Sequence, residues 1–324
     1  MSSPTVAHGY NFALGIAPEF IYGTAILPSG YLVVENESLQ LKQTTIAQPQ
    51  LGFSSQDRYA LSKVSVDGTF EIAATYNNPM FDTMLKFALG SVATTGPNGD
   101  GVYTHTYTCS DNLAASGLTV YVDRDATTLG TAYNYTGCQI GKLTLTYDEE
   151  KYITAAVDIV GVNEAATTKL TASYPTWIPA QWNEVSTLTV NGVSLPAKMT
   201  EITFEAPLAD DRYQLGQRTR IGISKKSPRK VTGKITVELE DVTTLNLFRN
   251  QTEVAGVFNC TGPAIGASTY QLNVSIPRMV LQGTTPNVKD VGPIMVDFPF
   301  EAFATVGNKD EISIVTKNLN AVVL

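Results

Sequence analysis

The chain has 324 residues, of which 43% are hydrophobic and 16% are charged, and its formal net charge is −8 at pH 7. This composition indicates a folded globular protein and excludes an intrinsically disordered chain. The acidic balance argues against tight binding of nucleic acid, which requires a basic surface. No apolar run is long enough to cross a membrane, and the length suits two domains of ordinary size.

The elements predicted in the first half are strands joined by one helix. Alternating polar and apolar residues predict a strand at residues 38–42 and another that begins at a V-x-G motif, residues 66–68. Residues 79–90 have apolar side chains at helical spacing. Pro79 suits the first turn of this predicted helix, and Gly90 suits its C-terminal end. Further alternating strands are predicted at residues 117–124, 141–147 and 152–160.

The second half repeats this order of elements. The V-x-G motif recurs at residues 231–233, which is 165 residues after the first. An alternating strand at residues 201–205 precedes it, and a shorter helical segment follows at residues 242–249. Later strands are predicted at residues 269–277, 278–282 and 293–303, and a last one at residues 311–315 that pairs either within its own subunit or with a neighbouring one.

The order of elements predicts an internal duplication of an all-β fold, with one short flanking helix in each unit. Between the units, Pro175 and Pro179 interrupt the periodicity and favour an extended connection. We therefore predict a first β domain with an N-terminal arm at residues 1–165, a linker at residues 166–184, and a second β domain with a C-terminal arm at residues 185–324.

Two long connections occupy corresponding places in the two units, between the first strand and the V-x-G strand. They span residues 44–65 and 210–230, and neither has a clear period. Long connections are often functional, and a matched pair favours arms that contact other subunits. The residues predicted to make contacts between subunits and between rings are Asp57, Arg58, Tyr59, Arg212, Arg218 and Arg220.

Residues suited to catalysis or metal binding are scarce. His8 and His105 are the only histidines, no nucleophile motif accompanies either, and we expect both at a surface or an interface. Cys109, Cys138 and Cys260 are odd in number and have no C-x-x-C spacing, which favours reduced thiols over a disulfide framework or a zinc site. The sequence therefore predicts no enzymatic activity, no cofactor and no metal.

Four segments have a pattern shared with a known family. Residues 135–146 and 152–161 follow the order aromatic, x, Gly, strand, turn, and a strand that ends in Gly; residues 230–237 and 297–302 look like later elements of the same family. In these segments the chain resembles the tail tube proteins of bacteriophages with long, non-contractile tails, the siphovirus-like phages.

This resemblance implies a fold and an assembly. The fold is a β-sandwich or half-barrel whose sheet closes a continuous inner β-barrel when subunits associate. Rings stack through a long loop and terminal arms, and the tube conducts the genome to the host. Because a duplicated fold supplies two units per chain, the resemblance implies homotrimeric rings with pseudo-sixfold symmetry, although six chains per ring stay open.

The resemblance also implies partners and a location. The partners are other copies of the chain, the tape measure protein, and the tail terminator and tip proteins, while viral DNA passes through the lumen without specific binding. The virion tail is the location, after assembly in the cytoplasm of the bacterial host. The acidic residues predicted to face the lumen are Glu71, Glu238 and Glu240, together with Thr69 and Thr236. The basic residues 225–230 are expected to face acidic residues of an adjacent ring.

A second interpretation is a receptor- or carbohydrate-binding β-sandwich module of a tail tip or decoration protein. Trp177 and Trp182 could then line a sugar-binding groove. In a Pro-rich linker, however, such residues more often pack two halves of a chain together, and we favour that role for both.

Overall fold

A computed structural model describes residues 9–49, 51, 54–56, 58–113, 116–125, 131–239, 243–283, 285 and 292–324. Its regular elements are almost all strands. The two described helices are α1 (Pro79–Leu89) and α2 (Thr243–Arg249), and single 3-10 turns lie at Gly9–Asn11 and Trp182–Glu184. The strands are β1 (Phe12–Pro18), β2 (Gly30–Leu32), β3 (Val34–Glu37), β4 (Gln40–Ala47), β5 (Tyr59–Ala73), β6 (Gly90–Thr95), β7 (Tyr103–Cys109), β8 (Leu118–Arg124), β9 (Thr131–Asp148), β10 (Thr154–Gly161), β11 (Asn163–Thr168), β12 (Val185–Val190), β13 (Val193–Ser194), β14 (Ala197–Glu205), β15 (Leu208–Ala209), β16 (Ser224–Lys225), β17 (Lys230–Glu238), β18 (Glu253–Ile265), β19 (Ser268–Leu281), β20 (Met295–Ala302) and β21 (Ser313–Asn318).

Seven strands form the layer that we call the main sheet. In the order β4, β5, β10, β9, β14, β17 and β20, each strand hydrogen-bonds to the next, and every pair is antiparallel. Alternate residues turn to the core, as Phe70 and Ile72 do in β5 and Val157 and Ile159 do in β10. The residues between them form a polar face, which is the pattern of an antiparallel sheet with one buried side. The predicted all-β fold is confirmed.

Other strands cover the buried side of the main sheet. One group has the order β2, β1, β8, the N-terminal part of β9, and β11. Another has the order β12, β18, β19, β21, β7 and β6. Side chains of both groups and of the main sheet belong to one continuous hydrophobic core. The main sheet therefore keeps one face in the core and the other free.

Helix α1 forms as its sequence predicts. The side chain of Asn78 caps it by accepting the amide hydrogen of Met80, with an oxygen–nitrogen distance of 2.9 Å. Pro79 occupies the first turn, and Gly90 ends the helix in the left-handed region with φ 94°. The apolar face packs into the core. The second predicted helix is also confirmed, as α2.

The two V-x-G motifs lie at corresponding places in the main sheet. Gly68 is in β5, between β4 and β10, and Gly233 is in β17, between β14 and β20. A Cβ on Gly68 would lie 2.5 Å from the Cα of Leu39, and one on Gly233 would lie 2.2 Å from the carbonyl oxygen of Glu201. Each glycine thus permits close approach of the preceding strand. The division into two domains stays a prediction, because β9 and β14 join both halves in one sheet.

Three sequence predictions of strands need correction. Residues 269–277 and 278–282 form one strand, β19, and its partner β18 was not predicted. The strand passes through Pro277 because the pairing shifts between Val254 and Gly256, and a bulge tolerates a residue that has no amide hydrogen. The Thr- and Tyr-rich residues 103–107, expected as a loop, belong to β7. The C-terminal strand β21 pairs within its own chain, with β19 and β7.

Candidate assembly surfaces

The main sheet has two ends with different features. At one end, Val66 pairs with Gly161, and Lys142, Glu205 and Lys230 lie in one row across their strands. We call this the arm end, because both predicted arms leave from it. At the opposite end lie the pairs Ala73–Thr154, Asp148–Met199 and Glu238–Met295. We call this the groove end, because surface pockets open there.

The first predicted arm is the β4–β5 hairpin. Beyond Val66, residues 59–65 of β5 pair only with β4 among the described strands, so the hairpin projects by about 23 Å at ~3.3 Å per residue. Tyr59 is 73% exposed, and Ile46 and Leu61 are exposed apolar neighbours. The side chain of Arg58 is also exposed. Asp57 lies outside the described residues.

The second predicted arm braces the first. The hydroxyl of Tyr213 donates to the carbonyl oxygen of Val64 at 3.0 Å, and the Arg218 Nε donates to the carbonyl oxygen of Ser62 at 2.9 Å. The Val64 amide donates in return to the Arg218 carbonyl oxygen at 2.9 Å. The ammonium group of Lys63 lies 4.6 Å from the centroid of the Tyr213 ring. The structure therefore joins two arms that are 150 residues apart in the sequence.

Arg220 fastens the second arm to the main sheet. It is only 3% exposed, and its Nη1 donates to the carbonyl oxygens of Val66 at 3.0 Å and Gly161 at 2.7 Å. Its Nε donates to the carbonyl oxygen of Asp210 at 2.7 Å, and its Nη2 pairs with Asp67 at 2.9 Å. The guanidinium group acts inside its own chain. Of the other predicted contact residues in this arm, Arg212 and Arg218 are exposed.

The arm end is basic. Residues 206–230 contain seven Lys and Arg against two Asp and Glu. Within the basic stretch 225–230, Arg229 is paired with Glu311 at 3.0 Å and with Asp111 at 3.3 Å in the same chain. Lys226 and Lys230 are exposed. The stretch thus has two roles in the structure: part of it packs internally, and part of it faces outward.

The groove end is acidic. Its exposed or half-exposed carboxylates are Glu35, Asp148, Glu149, Glu150, Glu184, Glu238 and Asp297. Lys151 and Lys198 are the described basic residues among them, and they pair with Asp148 at 2.5 Å and Glu238 at 2.6 Å. The two ends of the main sheet therefore carry opposite excess charge.

The free face of the main sheet carries short hydroxyl and acidic side chains. One row across six strands consists of Glu71, Ala156, Thr144, Thr203, Thr232 and Glu301. The hydroxyls of Thr144 and Thr203 hydrogen-bond at 3.0 Å, and the Thr236 hydroxyl donates to Asp297 at 2.7 Å. The predicted lumen residues Glu71 and Glu238 lie on this face, as do the Thr69 and Thr236 named with them. Glu240 lies outside the described residues.

The buried titratable residues serve packing. Sequence reasoning was wrong about His105, because the structure buries it completely in β7. All three cysteines are buried and free, and burial raises the pKa of Cys109 and of Cys260 to about 12, far from reactive thiols. Among the described residues, no three His, Cys, Asp or Glu side chains are grouped to hold a metal ion. The described helices are too short or too polar to span a membrane.

An open sheet with one polar face, a projecting double arm and ends of opposite charge defines a structural β protein built to associate with its own copies. Comparison with protein-family models gives the particular family: residues 9–302 match the phage tail tube protein model, and the chain belongs to that family. The family predicted from the sequence is confirmed. The protein is a structural component of the virion tail that assembles into a tube. A comparison with curated proteins found no match.

Proposed function

We propose that the protein is the major tail tube subunit of a siphovirus-like phage, and that its rings stack around a lumen that conducts the phage DNA. The observation that carries this proposal is the free polar face of the open main sheet. Hydroxyls and carboxylates offer phosphate groups no basic partner, so DNA can slide along such a face without being held. Glu71, Glu238 and Glu240, with Thr69 and Thr236, are then lumen residues.

Ring closure follows from the edges of the main sheet. Among the described residues, β4 pairs only with β5, and residues 295–298 of β20 are hydrogen-bonded only to β17. Exposed strand edges pair readily with other chains. Repeating one contact between the β4 edge and the β20 edge around an axis closes a ring without free edges. The matched places of Gly68 and Gly233 favour two units per chain, and hence three chains per pseudo-sixfold ring.

Stacking follows from the two ends. The basic, apolar arm end of one ring complements the acidic groove end of the next, so rings join head to tail. Asp57, Arg58, Tyr59, Arg212 and Arg218 are the proposed contact residues, while Arg220 positions the arm. In this proposal the tape measure protein, tail terminator and tip proteins are the tail partners, and the tube assembles in the cytoplasm of the bacterial host.

Negative-stain electron microscopy of the purified protein over a range of concentrations tests the tube. Hollow tubes, or stacked rings with threefold or sixfold end views, are expected. Compact particles without a central hole, at every concentration and with tail partners added, would contradict the proposal. They would direct attention to the receptor- or carbohydrate-binding alternative.

Charge reversal tests the stacking. R212E/R218E is expected to prevent stacking, and adding E149K/E150K to the same chain is expected to restore some tube length. R249E changes an equally exposed arginine on α2 and serves as the control, with tubes of normal length. Normal tubes from R212E/R218E would show that these arginines do not carry the contact.

A further inference from the structure

Two adjoining apolar side chains stand fully in solvent at the arm end. Phe20 is 92% exposed and Ile21 is 70% exposed, in the loop that follows β1. Exposed apolar groups of this size on neighbouring residues are a feature of interaction sites. We call residues 19–24 the knuckle.

A buried carboxylate holds the knuckle in shape. Glu19 is 3% exposed, and it accepts hydrogen bonds from the Thr119 hydroxyl at 3.1 Å, the Gly137 amide at 2.8 Å and the Gly23 amide at 2.6 Å. The loop closes with a bond from the Thr24 amide to the Ile21 carbonyl oxygen at 3.0 Å. Phe20 and Ile21 are therefore presented by a fixed backbone, which lowers the entropic cost of binding.

Tyr22 ties the knuckle to the arm end. Its hydroxyl donates to the Gly137 carbonyl oxygen at 3.0 Å and accepts the Ile223 amide hydrogen at 3.1 Å. Burial raises the pKa of Tyr22 to about 12, so the hydroxyl keeps its proton and both bonds persist at neutral pH. The knuckle thus stands beside the second arm.

An apolar pocket lies at the groove end. It has a volume of about 310 Å³ and opens between the β2–β3 segment, the end of β5 and the linker. The residues that line it are Leu32, Val33, Glu35, Ile72, Ala73, Thr75, Asn78, Tyr152, Trp177 and Pro179. We call it the Trp177 pocket.

The Trp177 pocket has polar atoms without partners. The Asn78 Nδ2, the Trp177 Nε1 and the Thr75 Oγ1 are buried and form no hydrogen bond within the described part of the chain. Buried donors without acceptors are costly. The backbone carbonyl oxygens of a docked loop would supply acceptors to the first two, while an apolar side chain filled the rest of the pocket.

The knuckle and the Trp177 pocket lie at opposite ends of the same pair of strands. The knuckle directly follows Pro18, the arm-end residue of β1, whereas Leu14 near the other end of β1 pairs with Leu32 of the pocket. Because the arm end is basic and the groove end is acidic, copies that stack head to tail bring these two features together.

We propose that the knuckle of one copy docks into the Trp177 pocket of the copy in the neighbouring ring. This inference rests on the head-to-tail stacking proposed above, and it adds an apolar contact in the outer layer to the charged contacts of the arms. Phe20 and Ile21 are the inserted residues, and Trp177 forms the wall that receives them.

Cysteine cross-linking of the assembled tube tests the contact. Because the three native cysteines are buried and free, I21C/V33C adds the only exposed thiols among the described residues. In tubes, mild oxidation of this variant is expected to give a ladder of covalent multimers on a non-reducing gel, which a reductant collapses. I21C and V33C alone should give no ladder, and a mixture of the two should give dimers only.

Different outcomes separate this inference from the function on which it rests. If the unmodified protein forms no tubes, the stacking itself fails. If I21C/V33C forms tubes but no ladder, the docking is wrong and the stacking stands. If I21C/V33C forms no tubes, F20S/I21S decides: the docking predicts a rise of at least about tenfold in the concentration needed for tubes. V322S, at another exposed valine, should leave that concentration unchanged, and an equal result for both variants would overturn the proposal.

Discussion

Asp82 shows how single residues connect distant parts of this chain. This buried carboxylate of α1 accepts hydrogen bonds from the hydroxyl of Tyr107 at 2.9 Å and that of Thr316 at 3.0 Å. The amides of Asn318 and Asn320 donate to its second oxygen at 2.8 Å each. Helix α1, β7 and the C-terminal segment thus share one polar centre. A buried charge is tolerated when its hydrogen-bonding capacity is filled in this way.

His105 completes the same network. Its Nε2 faces two acceptors, the Asn318 Oδ1 at 3.2 Å and the Asn320 carbonyl oxygen at 2.9 Å, and so it carries hydrogen. Its Nδ1 lies 2.8 Å from the Thr94 hydroxyl. Alternation could have indicated the burial, since His105, Tyr107 and Cys109 all turn inward in β7. The partners could not be predicted, because Asn318 is over 200 residues away.

Replacing Asp82 with Asn is expected to destabilise the subunit by about 2–4 kcal/mol. The new amide nitrogen faces donors and leaves them buried without an acceptor. Urea denaturation measures the change, and Asp211→Asn, at an exposed carboxylate, is the control with little effect. A loss below about 1 kcal/mol would mean that the network contributes little.

Asp158 gives a prediction about pH. Burial raises the pKa of this carboxyl on the polar face, and Lys142 only partly opposes the shift. A raised folded-state pKa means that the ionised form costs stability, and this cost disappears as the pH falls through that pKa. Asp158→Asn is therefore expected to raise the melting temperature of the dissociated subunit at pH 7 and to lose this advantage in acid. An advantage that grew as the pH fell would contradict this assignment.

At the scale of elements, alternation and helix signals predicted most of the main sheet and both helices. The predictions failed where non-local structure decides the outcome. Pro263 and Pro277 lie at bulges of the β18–β19 pair, and a bulge depends on the partner strand. The arms were predicted as contact segments, but their mutual bracing was not, because the Tyr213–Val64 and Arg218–Ser62 contacts join the two halves.

Arg220→Ala is expected to loosen the second arm. It leaves the carbonyl oxygens of Val66, Gly161 and Asp210 without their donor, at a cost of about 2–4 kcal/mol. Trypsin should then cleave faster at the arm, and thermal denaturation should report the lost stability. Arg218→Ala removes an exposed guanidinium and should cost no more than about 1 kcal/mol. Equal effects of the two variants would refute the fastening role of Arg220.

At the scale of the whole molecule, the distribution of charge matters more than its total. The net charge of −8 alone argues against a nucleic-acid binder, yet the basic residues 206–230 gather at the arm end and the polar face has an acidic excess. Sequence reasoning predicted the lumen residues Glu71 and Glu238 from their place beside the V-x-G motifs. It could not predict the acidic groove end, since that surface forms from turns far apart in the chain.

Basic side chains on the polar face are expected to make the tube hold DNA. T146K/T232K adds two positive charges per chain to this face, so assembled tubes should bind single-stranded DNA and release it as salt rises. T187K, on β12 outside the main sheet, is the control for charge alone. If both variants bound DNA equally, the polar face would not be the lumen wall.

The place of β21 has a consequence for the order of events during synthesis. This strand inserts between β19 and β7, so the backbone groups of residues 103–108 find their partners in residues 313–318. Those partners are among the last residues that the ribosome makes. While translation continues, the N-terminal half keeps an open edge at β7 and an unfilled polar centre at Asp82. Completion of the fold therefore waits for chain termination, which separates the making of a subunit from its polymerisation.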